Sequence, residues 1–107
     1  MAEVSVAAFA AARADGAFVV DVREPFEYVG GHVPGAWLVP IGQLPSRLRE
    51  LPRDERVYVI CASGNWSRVM TDGLLNAGFD ALSVAGGTSE WARTGQPVVA
   101  GFHSNEA

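Results

Sequence analysis

Short apolar runs that alternate with helical signals constrain the fold of this chain more than any other feature. Each run favours β structure and gives way to charged, glycine or proline residues, which is typical of a short buried strand. The predicted strands are Phe18–Val22, Ala36–Val39, Val57–Ile60 and Leu82–Ala85. Strands that alternate with helices favour right-handed crossovers. We therefore predict an α/β fold in which helices cover both faces of a small, mainly parallel central sheet.

Helical signals fill the intervals between these strands. An alanine-rich stretch between a cap at Ser5 and a stop at Gly16 is the first predicted helix, and a cap at Thr88 or Ser89 begins the last. The other predicted helices cover residues 25–29, 41–51 and 67–77. The helix over 67–77 has the clearest spacing of apolar residues, so the loop before it ends at a helix amino terminus.

Length and charge limit what kind of protein this is. The 107 residues suffice for one core, so we predict one domain over residues 1–100 and a flexible polar tail over 101–107. The net charge is -4 without any basic run, which argues against a nucleic-acid partner. No apolar stretch approaches the roughly 20 residues of a membrane span, and the amino terminus does not resemble a signal peptide. We therefore expect a cytoplasmic protein without a membrane partner.

The single cysteine, Cys61, is the candidate nucleophile. It follows a predicted strand, and parallel sheets bind ligands beyond the carboxyl ends of their strands. The residues after it are the candidate substrate-binding loop: Ala62, Ser63, Gly64, Asn65, Trp66 and Ser67. The N–H groups and partial positive charge of the next helix would stabilise a thiolate or a persulfide there. By position alone, Cys61 could equally be a small buried apolar residue.

One cysteine cannot form an internal disulfide, and the two histidines belong to no cluster with metal-ligand spacing. We therefore expect neither a metal nor another cofactor.

Three motifs follow one another in a recognisable order. The first is Asp-Val-Arg-Glu at 21–24 with Gly-His-Val-Pro-Gly-Ala at 31–36, the second is the cysteine loop at 59–67, and the third is Val84–Gly87 with Trp91. Their order and spacing over about nine-tenths of the chain resemble a single-domain rhodanese, a sulfurtransferase.

The resemblance implies a specific chemistry for Cys61. In that family the corresponding cysteine takes a sulfane sulfur from thiosulfate or an organic persulfide, becomes a persulfide itself, and passes the sulfur to cyanide or a thiol. The family's fold does not by itself establish activity. A catalytically weak binding or regulatory module of the same fold is the alternative.

Two loop positions depart from the family's pattern. Ala62 and Trp66 stand where members of the family often carry arginine, and a guanidinium there suits an oxyanion donor such as thiosulfate. The departures argue against efficient thiosulfate turnover. Trp66 either forms an apolar pocket wall that favours a bulkier persulfide, or serves only in packing. Arg68 compensates for the absence of arginine at these two positions only if its side chain reaches the pocket.

Other polar residues have supporting or weaker roles. Asp21 and Arg23 are expected to form an ion pair that braces the loop, although Arg23 could instead touch the substrate. His32 lies in a Gly and Pro turn that favours bonding to the backbone, which disfavours a cysteine protease. A phosphatase loop would need arginine where this chain has Ser67.

Overall fold

A five-stranded parallel sheet forms the centre of the computed structural model, which describes residues 2–102. Its strands are β1 (Glu3–Val4), β2 (Phe18–Asp21), β3 (Trp37–Leu38), β4 (Val57–Ile60) and β5 (Ala81–Val84). Their order in the sheet is β1-β5-β4-β2-β3. This arrangement confirms the predicted α/β class and the parallel sheet.

Helices lie on both faces of the sheet, as predicted. They are α1 (Val6–Ala14), α2 (Pro25–Gly30), α3 (Asn65–Asn76) and α4 (Gly87–Arg93). One apolar cluster joins α1, α2 and α4 to the sheet through Phe9, Tyr28 and Trp91. On the other face, α3 packs through Leu74 together with Leu44 from the segment after β3.

The central position of β4 in the sheet explains why its sequence is continuously apolar. All four of its residues are buried. Val57 and Val59 point into one cluster, whereas Tyr58 and Ile60 point into the other. A strand that is covered on both faces has no solvent-facing position for a polar side chain. The apolar run therefore continues to the end of the strand at Ile60, directly before Cys61.

The helix that we predicted over 41–51 is wrong. Two short 3₁₀ segments, Ile41–Ser46 and Leu48–Glu50, occupy this stretch. Pro45 lies inside the first segment, where its ring and missing N–H oppose an α-helix. Glu50 ties the second segment to its surroundings, because its carboxylate accepts hydrogen bonds from Arg47 and Trp37. These bonds lower the pKa of the Glu50 carboxyl to about 2.

The expected cap of the last helix is also wrong. Gly86, with a φ of +79°, is the cap residue of α4. The amides of Thr88 and Ser89 donate instead to the carbonyl oxygens of Cys61 and Ala62. Both residues therefore lie inside the first turn of the helix, with their N–H groups facing the cysteine loop.

Several boundaries differ from the predicted ones at the ends of the chain. The two-residue strand β1 was not predicted, because so short a segment has no periodicity to detect. Residues 103–107 of the predicted tail lie outside the described residues, and Gly101 donates its N–H to the carbonyl oxygen of Val29. No helix within residues 2–102 combines the length and apolar character needed to cross a membrane.

Candidate active site

Cys61 lies at the carboxyl edge of the sheet, between the end of β4 and the start of α3. The helix begins at Asn65, two residues earlier than predicted, so residues 61–64 form the whole connection. Gly64 makes this tight turn possible, because its φ of +99° is a conformation that side chains oppose. The turn brings the first N–H groups of α3 back towards the cysteine.

The sulfur of Cys61 is held by backbone amides. The N–H groups of Gly64 and Ser67 donate to Sγ over 3.0 and 3.3 Å. Only 3% of the residue is exposed. Two N–H donors at the amino terminus of a helix are suited to negative charge on sulfur, because they supply hydrogen bonds and lie at the positive end of the helix dipole.

A pair of buried hydroxyl groups lies behind the sulfur. Ser67 Oγ is 3.4 Å from Cys61 Sγ and 2.8 Å from Ser83 Oγ, and it also donates to the carbonyl oxygen of Gly64 over 3.2 Å. Both serines are fully buried. Ser83 belongs to β5, so the neighbouring strand contributes a polar group to the sulfur environment.

Two glycines allow α4 to pack directly against the cysteine loop. A Cβ at Gly87 would overlap the carbonyl oxygen of Cys61 and lie 2.8 Å from the carbonyl group of Ala62. A Cβ at Gly64 would lie 2.9 Å from the amide nitrogen of Gly86. The Thr88 amide and hydroxyl both donate to the Cys61 carbonyl oxygen, over 2.8 and 3.1 Å. The back of the loop is thus fixed by main-chain contacts.

Asp21 and Arg23 form a nearly buried ion pair at the end of β2. The guanidinium contacts both carboxylate oxygens, at 2.9 to 3.2 Å, and also donates to the carbonyl oxygen of Gly31 over 2.8 Å. The exposed fractions of the two side chains are 0% for Asp21 and 9% for Arg23. Arg23 therefore links the strand end to the turn that follows α2.

A cavity of roughly 500 Å³ opens in front of Cys61. Residues from both sides of the sheet edge line it: Val22, Arg23, Glu24, Glu27, Ile41, Cys61, Ala62, Ser63 and Trp66. Trp66 is 61% exposed, so its ring borders solvent and is not a core residue. This volume exceeds the needs of a small inorganic anion and can hold an organic group.

Arg68 and Asn65 lie away from this cavity. The Arg68 guanidinium is exposed and lies 3.5 Å from the Asn65 side-chain oxygen. Both residues line a second cavity, together with Val69 and Asp72. The structure thus places Cys61, Ala62, Ser63 and Trp66 at the first cavity, Gly64 and Ser67 against the sulfur, and Arg68 elsewhere.

His32 belongs to a different environment. It is fully buried, its Nδ1 lies 2.7 Å from the carbonyl oxygen of Tyr28, and its ring stacks on the Tyr28 ring. It does not line the cavity in front of Cys61.

Sequence reasoning missed several residues of the site. Ser83 interrupts a predicted apolar strand, and a buried hydroxyl requires a partner, which was a detectable signal. Gly86 and Gly87 were interpreted simply as a turn, although paired glycines also permit close backbone approach. Glu24 is the cap residue of α2 and Glu27 lies in its first turn. Both are far from Cys61 in the sequence, so no local pattern links them to it.

Comparison with known proteins agrees with this geometry. The rhodanese-like domain family matches residues 5–94 of the chain. A protein named sulfurtransferase from Allochromatium vinosum is 37% identical over 83 residues, which is 77% of this chain and 78% of that protein. A putative sulfur carrier protein from Bacillus subtilis, YrkF, is 34% identical over 74 residues, 68% of this chain but only 40% of that protein.

The solved structure of a rhodanese-related protein from Thermoplasma volcanium superimposes with a TM-score of 0.89 at 33% identity, covering 94% of this chain and 100% of that one. The match extends over most of the chain and includes the cysteine loop with both flanking elements. The chain therefore belongs to the rhodanese-like family, a family of sulfurtransferases and sulfur carriers.

Proposed function

We propose that this protein transfers sulfane sulfur through a persulfide on Cys61. The observation that carries the proposal is the position of Cys61 Sγ, which receives two backbone N–H groups and lies at a cavity of roughly 500 Å³. A buried thiol that served only in packing would not need such a cavity. The names of the sulfurtransferase and sulfur carrier relatives support the same chemistry.

The reaction has two nucleophilic steps. The Cys61 thiolate attacks the outer sulfur of the donor, so an S–S bond forms to Cys61 while the donor's own S–S or sulfur–sulfite bond breaks. The leaving thiolate or sulfite departs with the electron pair of that bond. A thiol or cyanide then attacks the outer sulfur of the Cys61 persulfide and regenerates the thiolate. Neither step requires an external oxidant.

The protein's residues act mainly by placing and stabilising charge. The amides of Gly64 and Ser67 hold negative charge on the sulfur of Cys61, and the amino terminus of α3 adds its partial positive charge. The contacts of α4 keep these amides in place without the donor, so the site is organised in advance.

The proposal favours an organic persulfide over thiosulfate as the donor. Among the described residues, the guanidinium that lines the cavity is that of Arg23, which is bound to Asp21, whereas Arg68 lies at another cavity. Ala62 and Trp66 contribute no charge. A thiosulfate dianion would therefore meet few compensating groups.

The alternative is a binding or regulatory module of this fold with weak turnover. The low exposure of Cys61, 3%, favours it, because a donor must reach a largely covered sulfur.

Steady-state sulfur transfer distinguishes the two. We expect thiocyanate to form when the protein is supplied with an organic persulfide and cyanide, and we expect Cys61→Ser to abolish that turnover while retaining the fold. Turnover that persists in Cys61→Ser would contradict the role of Cys61, and turnover no faster than the reaction without protein would favour the binding module. The domain boundary at residue 100 and the cytoplasmic location stay predictions.

A further inference from the structure

Acidic side chains are among those that line the cavity in front of Cys61. They come from the amino terminus of α2, where Glu24 is the cap residue and Glu27 lies in the first turn. Asp21 adds a third negative charge behind Arg23. Formal charges on these residues are three negative against the single positive charge of Arg23, so the cavity side of the sheet edge is net negative.

Arg23 does not offset this charge for a ligand. Its Nε and Nη2 are bound to the Asp21 carboxylate, and Nη2 also donates to the carbonyl oxygen of Gly31. The pair is neutral as a unit and is 0% and 9% exposed. Glu24 and Glu27 are thus the residues at the cavity whose formal charges are not balanced by an ion pair within the described part of the chain.

The two glutamates retain capacity to bind a ligand. They form a capping box in which each side chain accepts one N–H group from the other residue's backbone, that of Glu24 at 3.1 Å from Glu27 Oε1. An ionised carboxylate has about four acceptor sites. Glu24 is exposed and Glu27 is half-buried, so both can accept further hydrogen bonds from a donor group in the cavity.

Apolar and aromatic side chains line the same cavity. They include Ile41 and the exposed ring of Trp66. An aromatic face attracts an ammonium group and repels a carboxylate. Acidic and aromatic side chains in one cavity therefore both favour a positively charged ligand.

We propose that the sulfur donor of this site is an amine-bearing organic persulfide, in which an ammonium group on a short apolar stem lies between the glutamates and Trp66. This inference rests on the proposed function. Glu24 and Glu27 are specificity-determining residues, because they act on the donor's charge and not on sulfur.

The transfer step is the same as for any hydropersulfide R–S–SH. The Cys61 thiolate forms a bond to the terminal sulfur, and the bond between the two donor sulfurs breaks with its electron pair on the inner sulfur. The proton of the hydropersulfide moves to that inner sulfur, so the products are the Cys61 persulfide anion and R–SH.

Three donors that differ mainly in charge test the inference. They are the hydropersulfides of cysteamine, mercaptoethanol and mercaptopropionate, which carry an ammonium, a hydroxyl and a carboxylate group. The second-order rate of Cys61 persulfide formation is measured for each by quenched intact-mass analysis. We expect the ammonium donor to react about tenfold faster than the carboxylate donor, with the hydroxyl donor between them. Added salt should bring the ratio of the ammonium-donor rate to the carboxylate-donor rate closer to one.

Glutamine variants identify the residues responsible. The double variant Glu24→Gln with Glu27→Gln keeps side-chain acceptors for the capping box and removes both charges. We expect the ammonium-to-carboxylate ratio, normalised to the hydroxyl donor, to fall below about threefold. The double variant Asp54→Asn with Glu55→Gln is the matched control, because both residues are exposed before the opposite end of β4 and their replacement changes the net charge equally. Its ratio should stay near that of the native protein.

The outcomes separate this inference from the function on which it rests. Equal rates for the three donors, or a ratio that survives the double variant, would overturn the acidic selection while leaving persulfide chemistry intact. A complete absence of persulfide with every donor would overturn the proposed function itself.

Discussion

At the scale of single residues, the Ser67 hydroxyl explains how the site can hold both a thiol and a thiolate. A hydroxyl has one donor and two acceptor positions, and Ser67 Oγ has three neighbours: Cys61 Sγ, the Gly64 carbonyl oxygen and Ser83 Oγ. With a thiol, Ser67 accepts from sulfur and donates to Gly64. With a thiolate, it can donate to sulfur while it accepts from Ser83. Ser83 therefore acts as a positioning residue.

Ser83→Ala should slow persulfide formation at Cys61. Loss of the 2.8 Å contact to Ser67 removes the group that directs the Ser67 hydroxyl towards sulfur. We expect the second-order rate with an organic persulfide to fall about three- to tenfold, corresponding to the roughly 1 kcal/mol of one hydrogen bond.

Thr71→Val is the control for Ser83→Ala. Thr71 lies one turn further along α3, and its buried hydroxyl has no hydrogen-bond partner within the described residues. Its replacement should leave the rate unchanged and raise the free energy of unfolding by about 1 kcal/mol. A similar loss of rate in both variants would contradict the positioning role of Ser83.

Trp66→Arg should increase reactivity towards thiosulfate. Trp66 lines the cavity of Cys61, so arginine there adds a cation beside the approaching dianion. We expect the second-order rate of persulfide formation with thiosulfate to rise about tenfold. Val69→Arg is the matched control, since it adds the same charge on α3 at the second cavity. An equal rise in Val69→Arg, or no rise in Trp66→Arg, would count against this role of Trp66.

At the scale of elements, the site depends on how α4 packs against the loop between β4 and α3. The amides of Thr88 and Ser89 bind the Cys61 and Ala62 carbonyl oxygens, and Gly87 leaves room for this approach. Because the carbonyl groups of the loop accept hydrogen bonds from α4, the amide groups of the loop can face the Cys61 sulfur. A shift of α4 would therefore move the Gly64 and Ser67 amides that donate to the Cys61 sulfur.

Gly87→Ala should therefore disrupt both stability and activity. The new Cβ would overlap the Cys61 carbonyl oxygen at a φ of +60°. We expect the free energy of unfolding to fall by about 3 kcal/mol or more, together with slower persulfide formation. Gly16→Ala separates the two causes, because Gly16 has a φ of +90° but nothing within 4 Å of an added Cβ. Conformational strain alone should cost about 1 kcal/mol there, and equal losses would contradict the packing argument.

The pair Asp21 and Arg23 connects β2 to the turn after α2. Asp21→Asn leaves the guanidinium of a nearly buried arginine without its counter-ion, so we expect a loss of about 3 kcal/mol in denaturant unfolding. Asp80→Asn makes the same change in the pair with Arg56, whose side chains are 50% and 57% exposed, and should cost less than about 1 kcal/mol. If Asp21→Asn were as mild as Asp80→Asn, the role of the pair in linking β2 to the turn after α2 would be untenable.

At the scale of the whole molecule, the alternation of apolar runs and helical signals sufficed to predict the class of fold. β4 is a clear case, because burial on both faces leaves an uninterrupted apolar run with the residue range that we predicted. The 3₁₀ segments were not predicted because Leu44 and Leu48 keep helical spacing although Pro45 opposes the helix. Periodicity records which side chains are buried, but it does not record the backbone hydrogen bonds.

The site was predictable only in its local part. The loop at 61–67 is contiguous, so its relation to a helix amino terminus follows from sequence order. The contact between Ser67 and Ser83 and the approach of Glu24 and Glu27 depend on neighbours that the sheet order creates. The direction of Arg68 depends on the starting residue of α3. Such tertiary relations have no local pattern.

The most direct test of the account is the intact mass of the native protein after treatment with an organic persulfide and then with cyanide, beside Cys61→Ser treated in the same way. We expect the native protein to gain one sulfur atom and cyanide to remove it, whereas the variant should gain none. The absence of a cyanide-sensitive gain in the native protein, or the same gain in Cys61→Ser, would contradict a persulfide on Cys61.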